Sequence, residues 1–131
     1  IYWLDRSGRQ MDDQAWNSGD VRSLGMLLLG HCSQIDEQGA CIVGDHLLIL
    51  MNAHHEAVEF MLPVELQKVK GLERLFDTAN GDTTITVYDP GKPYLLHPRS
   101  MALFRRRAIE RREPVASSDT GTVRMARMLE D

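Results

Sequence analysis

Aromatic residues are scarce in this chain, 6% of 131 residues, and it has two cysteines. Two cysteines cannot build the disulfide framework of a small secreted scaffold. No apolar run approaches the ~18 residues that a membrane helix needs; the longest is Leu47-Leu48-Ile49-Leu50-Met51. Positive charge is not in excess: the net charge is -4, which argues against a dedicated partner in nucleic acid or an anionic membrane. No basic region followed by an apolar stretch opens the chain, so no signal peptide is visible. The sequence starts at Ile1 and runs straight into the strand-like Ile1-Tyr2-Trp3-Leu4, which reads as a piece of a longer protein. The length excludes a (β/α)₈ barrel, which takes roughly 200 residues or more. A sandwich with a real core fits, since chains of this size bury roughly two-thirds of their unfolded surface.

What is present is a series of short apolar segments separated by turn residues. Residues 1–4 read as a strand ended by Asp5-Arg6-Ser7-Gly8, and Met11 to Trp16, with Asp12-Asp13 in front, as a short helix. Met26-Leu27-Leu28-Leu29 is short enough for a buried strand. A turn at Asp36–Gly39 leads into Ala40-Cys41-Ile42-Val43. Leu47–Met51 is the central core strand, and Val58, Phe60 and Leu62 alternate on one face of the next. Residues 72–77, with Leu75 and Phe76 as apolar content, and the β-branched 83–88 follow. Tyr94–His97 and Ser100–Phe104 complete the set. Seven or eight short strands at this spacing predict an all-β antiparallel sandwich over 1–107. From 108 to 131 the composition changes, and a charged tail or added helix is expected.

Three stretches resemble one known family when taken together: Arg22-Ser23-Leu24-Gly25-Met26, Asp45 through Glu56, and Phe60-Met61-Leu62-Pro63. They are similar to the C-terminal domain of bacterial glycogen debranching enzymes and isoamylases, of the α-amylase superfamily. Trp3-Leu4, Gly8, Met11, Trp16, Phe76-Asp77-Thr78 and Arg99 to Leu103 extend the likeness. The chain departs from the pattern at Leu72, near which that family usually has a Trp. The resemblance implies a parent enzyme that hydrolyses α-1,6-glucosidic branch points in the cytoplasm. It also implies that the catalytic Asp and Glu belong to a barrel on which this domain packs. Retaining glycosidases need two carboxylates about 5–5.5 Å apart across a cleft. No residue here matches those motifs, so no catalytic residue, metal ligand or cofactor is assigned and the piece should be inert alone. Its partners would be the barrel, an α-glucan, and itself through the exposed barrel-facing patch.

Two other readings stay open: an independent α-glucan-binding module, and a free-standing sandwich adaptor that docks through the tail. For the module, Trp3, Trp16, Tyr88 and Tyr94 are the candidate stacking residues and would have to cluster on one exposed surface. His54-His55 beside Asn52 and Glu56 suggests a metal, but adjacent strand residues point to opposite faces. A polar turn with Asn52 as its cap is the structural alternative. The arginines at 105–112, interleaved with Glu110 and Glu113, read as a solvated face. Cys32 and Cys41 read as reduced thiols, with a cross-strand bridge as the alternative if the turn centres between Asp36 and Glu37.

Overall fold

A computed structural model of the protein describes residues 1–30, 34–42, 44–64, 71–81 and 83–107. In chain order its elements are β1 (Tyr2–Leu4), α1 (Asp13–Asn17), β2 (Ser23–Leu28), β3 (Gln34–Ile35), β4 (Cys41–Ile42) and β5 (His46–Asn52). Then come β6 (Val58–Met61), β7 (Leu72–Asp77), β8 (Thr86–Tyr88), β9 (Pro93–Leu96) and β10 (Ser100–Arg106). Six strands form one sheet in the order β1-β2-β5-β10-β7-β8, while β6 pairs β9 and β3 pairs β4 in two-stranded sheets. Every pairing is antiparallel. The expected all-β sandwich is the fold. The tail assigned to 108–131 lies outside the described residues.

The small β6–β9 sheet covers one face of the large one. Register puts Leu4, Gly25, Leu50 and Ala102 in one inner row, and Tyr2, Leu27, Leu48, Phe104 and Arg74 in the next. Opposite them stand Phe60, Leu62, Tyr94 and Leu96, each at most 5% exposed. Gly25 lets the layers close: a Cβ there would lie 2.9 Å from Phe60 Cζ and 3.2 Å from Leu4 Cβ. The β1–α1 turn is fixed by Asp5, whose Oδ1 accepts from Ser7 N at 2.9 Å and Arg9 N at 3.2 Å. Gly8 ends that turn at φ +82°, where a side chain would meet Met61 O at 2.8 Å. Asp12 caps α1 by accepting from Ala15 N at 2.8 Å.

Several expectations are corrected. In β7 the buried residues are Leu72, Arg74 and Asp77 rather than Leu75 and Phe76. The register jumps from Leu103↔Phe76 to Phe104↔Arg74, so Leu75 is the extra residue of a bulge and Phe76 turns to the far side. Only Thr86–Tyr88 of the 83–88 segment pairs, against Leu72–Arg74. Arg106, expected on a solvated face, is 2% exposed on the inner side opposite His46. The β3–β4 hairpin closes with Ile35 opposite Cys41, because Asp36 Oδ1 accepts from both Gln38 N and Ala40 N at 2.9 Å and widens the turn. Cys41 is disulfide-bonded rather than a free thiol; Cys32, the other cysteine of the chain, lies outside the described residues.

Candidate docking face

The far face of the six-stranded sheet is built by the residues that alternate with the core. Cross-strand partners share a face, so register defines it directly. Trp3, Met26, Ile49, Leu103 and Phe76 form one continuous row across five strands. Leu24, Met51 and Met101 form a second, and Leu28 and Leu47 begin a third that continues into Arg105 and Glu73. All are half-buried. An antiparallel sheet with one wet face should alternate apolar and polar residues along each strand. Here β2 and β5 are apolar on both faces, so the sheet has a second surface with the chemistry of a core. Three of its side chains are methionines, which adapt to irregular partner surfaces.

Two borders frame this surface. On one side Arg105 Nη2 lies 2.8 Å from Glu73 Oε2, Arg107 Nε lies 3.0 Å from Glu73 Oε1, and Arg105 Nε lies 4.0 Å from Asp45 Oδ2. The Arg105 hydrogen bond, with help from Arg107 and against some desolvation, holds the Glu73 carboxyl below its ordinary value. At the β1 edge, the Trp3 and Trp16 rings meet edge to face at 5.9 Å, with Trp16 51% exposed. An apolar centre, a charged border and an exposed tryptophan are the composition of a protein interface.

The four aromatics considered for sugar stacking do not gather on one surface. Trp3 and Trp16 sit at the β1 edge, whereas Tyr88 is on β8 at the opposite edge of the sheet. Tyr94 is 5% exposed, and its ring meets Tyr88 at 5.1 Å and Phe104 at 5.0 Å. The Tyr94 hydroxyl donates to Asp77 Oδ2, and Arg74 Nη1 donates to Tyr88 Oη at 3.1 Å and Tyr94 Oη at 3.2 Å. Burial, then the bond to Asp77, pushes the Tyr94 phenol up to about 12. The bond to Tyr94 in turn raises Arg74. This cluster ties β7 to β9 inside the sandwich.

His54 and His55 do come together, contrary to the strand argument, because residues 53–57 leave the strand. Their rings stack at 4.3 Å, and with Glu56 their ligand atoms lie within 4.8 Å of one another. His54 Nδ1, however, accepts from Glu56 N at 2.9 Å. In the neutral ring that bond leaves Nε2 carrying the proton, so neither nitrogen is ready for a metal. Asn52 is the cap that the sequence suggests. It is 3% exposed; its Nδ2 donates to the carbonyls of Glu56, Leu96 and His97 at 3.0–3.3 Å, and its Oδ1 accepts from His54 N at 2.9 Å.

The stretches that carry the resemblance contain Leu24, Met26, Ile49, Met51, Met101 and Leu103, but the motifs did not place them on one face. Their signal was present as the failure of Met26–Leu29 and Leu47–Met51 to alternate within an antiparallel fold.

Comparison with known proteins agrees with this architecture. Residues 1–105 match the family model described as "Isoamylase, C-terminal". A 64-residue stretch, 48% of the chain, is 38% identical to proteins named "Glycogen operon protein GlgX homolog" in Mycobacterium bovis and Mycobacterium tuberculosis. That stretch spans 9% of the length of those relatives. No helix among the described residues is long and apolar enough to cross a membrane. With four-fifths of its length matched to the family model, the chain belongs to the isoamylase C-terminal domain family.

Proposed function

We propose that the protein is the non-catalytic C-terminal domain of a glycogen-debranching glycoside hydrolase, and that the far face of its large sheet docks on the catalytic barrel of the parent chain. One observation carries this reading: five strands present an unbroken apolar row, from Trp3 to Phe76, on the face opposite the core, where among the described residues α1 reaches its β1 end through Trp16. Contiguous apolar surfaces that water still reaches mark interaction sites, and without a partner they drive self-association. On this reading the partner is the barrel that holds the α-1,6-cleaving site, and this domain stabilises it from one side. We place the activity in the cytoplasm on the same family reading. The Cys41 disulfide pulls toward an oxidising compartment, and counting free thiols in protein trapped with alkylating agent inside cells decides between them.

The test is complementation. A GlgX homolog cut ahead of its corresponding domain is mixed with this chain, and melting temperature and debranching activity are followed. Wild-type protein should raise both, and Ile49→Lys, which plants a charge at the centre of the row, should not. Equal rescue by wild type and variant would place the contact elsewhere.

A further inference from the structure

At one end of the sandwich, a cleft of about 380 Å³ opens among the β1–α1, α1–β2 and β5–β6 connections. Its walls carry Arg6, Asp20, Arg22, His54 and Glu56. A second cleft of about 400 Å³ adjoins it, shares Arg22, is walled by the exposed Trp16, and reaches the edge of the docking face at Leu24 and Met51. The side chains of Arg6, Asp20 and Arg22 make no hydrogen bond or ion pair with described residues, and Glu56 has only a 3.7 Å contact to the exposed His55. The backbone beneath is nevertheless fixed. Met61 N donates to Arg6 O and Ala53 N to Arg22 O, both at 2.8 Å, and the Asn52 cap holds the His54–Glu56 turn.

The chemistry narrows the ligand. Arg6 and Arg22 bring two guanidiniums to the lining and Asp20 and Glu56 two carboxylates, so their formal charges balance and favour neither a cation nor an anion. The same lining thus holds both planar donor groups and planar acceptor groups. A vicinal diol, in which each hydroxyl both donates and accepts, satisfies both kinds at once. The Trp16 ring supplies what the polar wall lacks, an aromatic face for the apolar C–H side of a pyranose. A cleft with a few convergent polar groups beside an exposed aromatic is a small-molecule site in form.

We infer that these joined clefts bind a neutral oligosaccharide, with Trp16 stacking on one sugar ring and Arg6, Asp20, Arg22 and Glu56 reading its hydroxyls. The choice of an α-glucan rests on the family reading above; the site itself does not. It would hold a branch of substrate beside the barrel, at the edge of the docking face.

The experiment is a titration of the 131-residue chain with maltoheptaose, followed by tryptophan fluorescence and amide NMR shifts, with cellohexaose as the comparison. Saturable millimolar binding is expected, with shifts at Trp16, Asp20, Arg22 and Glu56. Trp16→Ala and Arg22→Gln, both at exposed positions, should each weaken it about tenfold or more while leaving the folded spectrum intact. Ile49→Lys should bind sugar as wild type does, which separates this site from the docking face. Absence of saturation by folded protein, or unchanged affinity in both cleft variants, overturns the proposal. Equal binding of cellohexaose overturns the α-glucan assignment.

Discussion

Leu50 and Ile49 are neighbours on β5 that face opposite ways, and substituting each tests whether the sheet has one buried face or two. Leu50 is fully buried, and its cross-strand partners are Gly25 on one side and Ala102 on the other. Neither partner has a side chain that can swing into the space, so Leu50→Ala leaves a cavity that the core cannot refill. Large-to-small changes of this kind cost about 2.7–5 kcal/mol, rising with the volume left empty, and the small neighbours put this one near 4 kcal/mol. For a urea slope of about 1.5 kcal/mol/M, the unfolding midpoint drops by about 2.5 M. Ile49→Thr keeps the branched β-carbon and exchanges one methyl for a hydroxyl on a half-exposed face, where water can reach it. Its cost should stay under about 1 kcal/mol, as for other surface substitutions, with a midpoint shift of about 0.5 M. Urea unfolding of the isolated chain by circular dichroism measures both. A loss for Ile49→Thr that matches Leu50→Ala would mean that the far face is covered within this chain, and the docking argument would fail.

Gly25→Ala should lower stability by about 1–3 kcal/mol, seen in thermal melts, because its methyl meets the Phe60 ring at 2.9 Å. Asn52→Ala removes the donor to three carbonyls and the acceptor for His54 N; a loss of about 2–3 kcal/mol is expected from the unpaired buried groups, with proteolysis first at residues 53–57. The raised Tyr94 value means that the fold favours the neutral phenol. Its contribution is therefore complete below pH 10 and fades as pH climbs toward about 12, by about 2–3 kcal/mol in all. Tyr94→Phe should be less stable at neutral pH and lack that part of the alkaline decline; parallel pH–stability curves for the two proteins would contradict the assignment.

The strand sequence was readable because local and long-range demands agree. Val58, Phe60 and Leu62 alternate and are all buried, and Asp5-Arg6-Ser7-Gly8 and Asp12 are turn and cap residues that act as such. What could not be read depends on partners distant in sequence. The bulge at Leu75 exists because β10 pairs there with a one-residue shift, and nothing in residues 72–77 announces it. Tyr88 and Tyr94 look like a pair flanking an exposed turn, yet their placement is decided by Asp77, Arg74 and Phe104. The docking face lay between these cases. The apolar runs in β2 and β5 were plain, but which residues of each run faced the core required the register. The polar cleft was hidden for another reason: Arg6, Asp20, Arg22 and Glu56 come from three separate connections, and no local pattern links them.

Three methionines on the far face give the most direct measurement of the docking claim. Met26, Met51 and Met101 share that face, whereas Met61 lies on β6 in the other sheet. Oxidation rates of these four, read by mass spectrometry after brief peroxide exposure, are compared for the isolated chain and for the chain bound to the barrel-containing remainder of the enzyme. Strong protection of Met26, Met51 and Met101 with Met61 unchanged is the predicted result. Equal rates at all three with and without the barrel, in a complex shown to have formed, would contradict docking through this face.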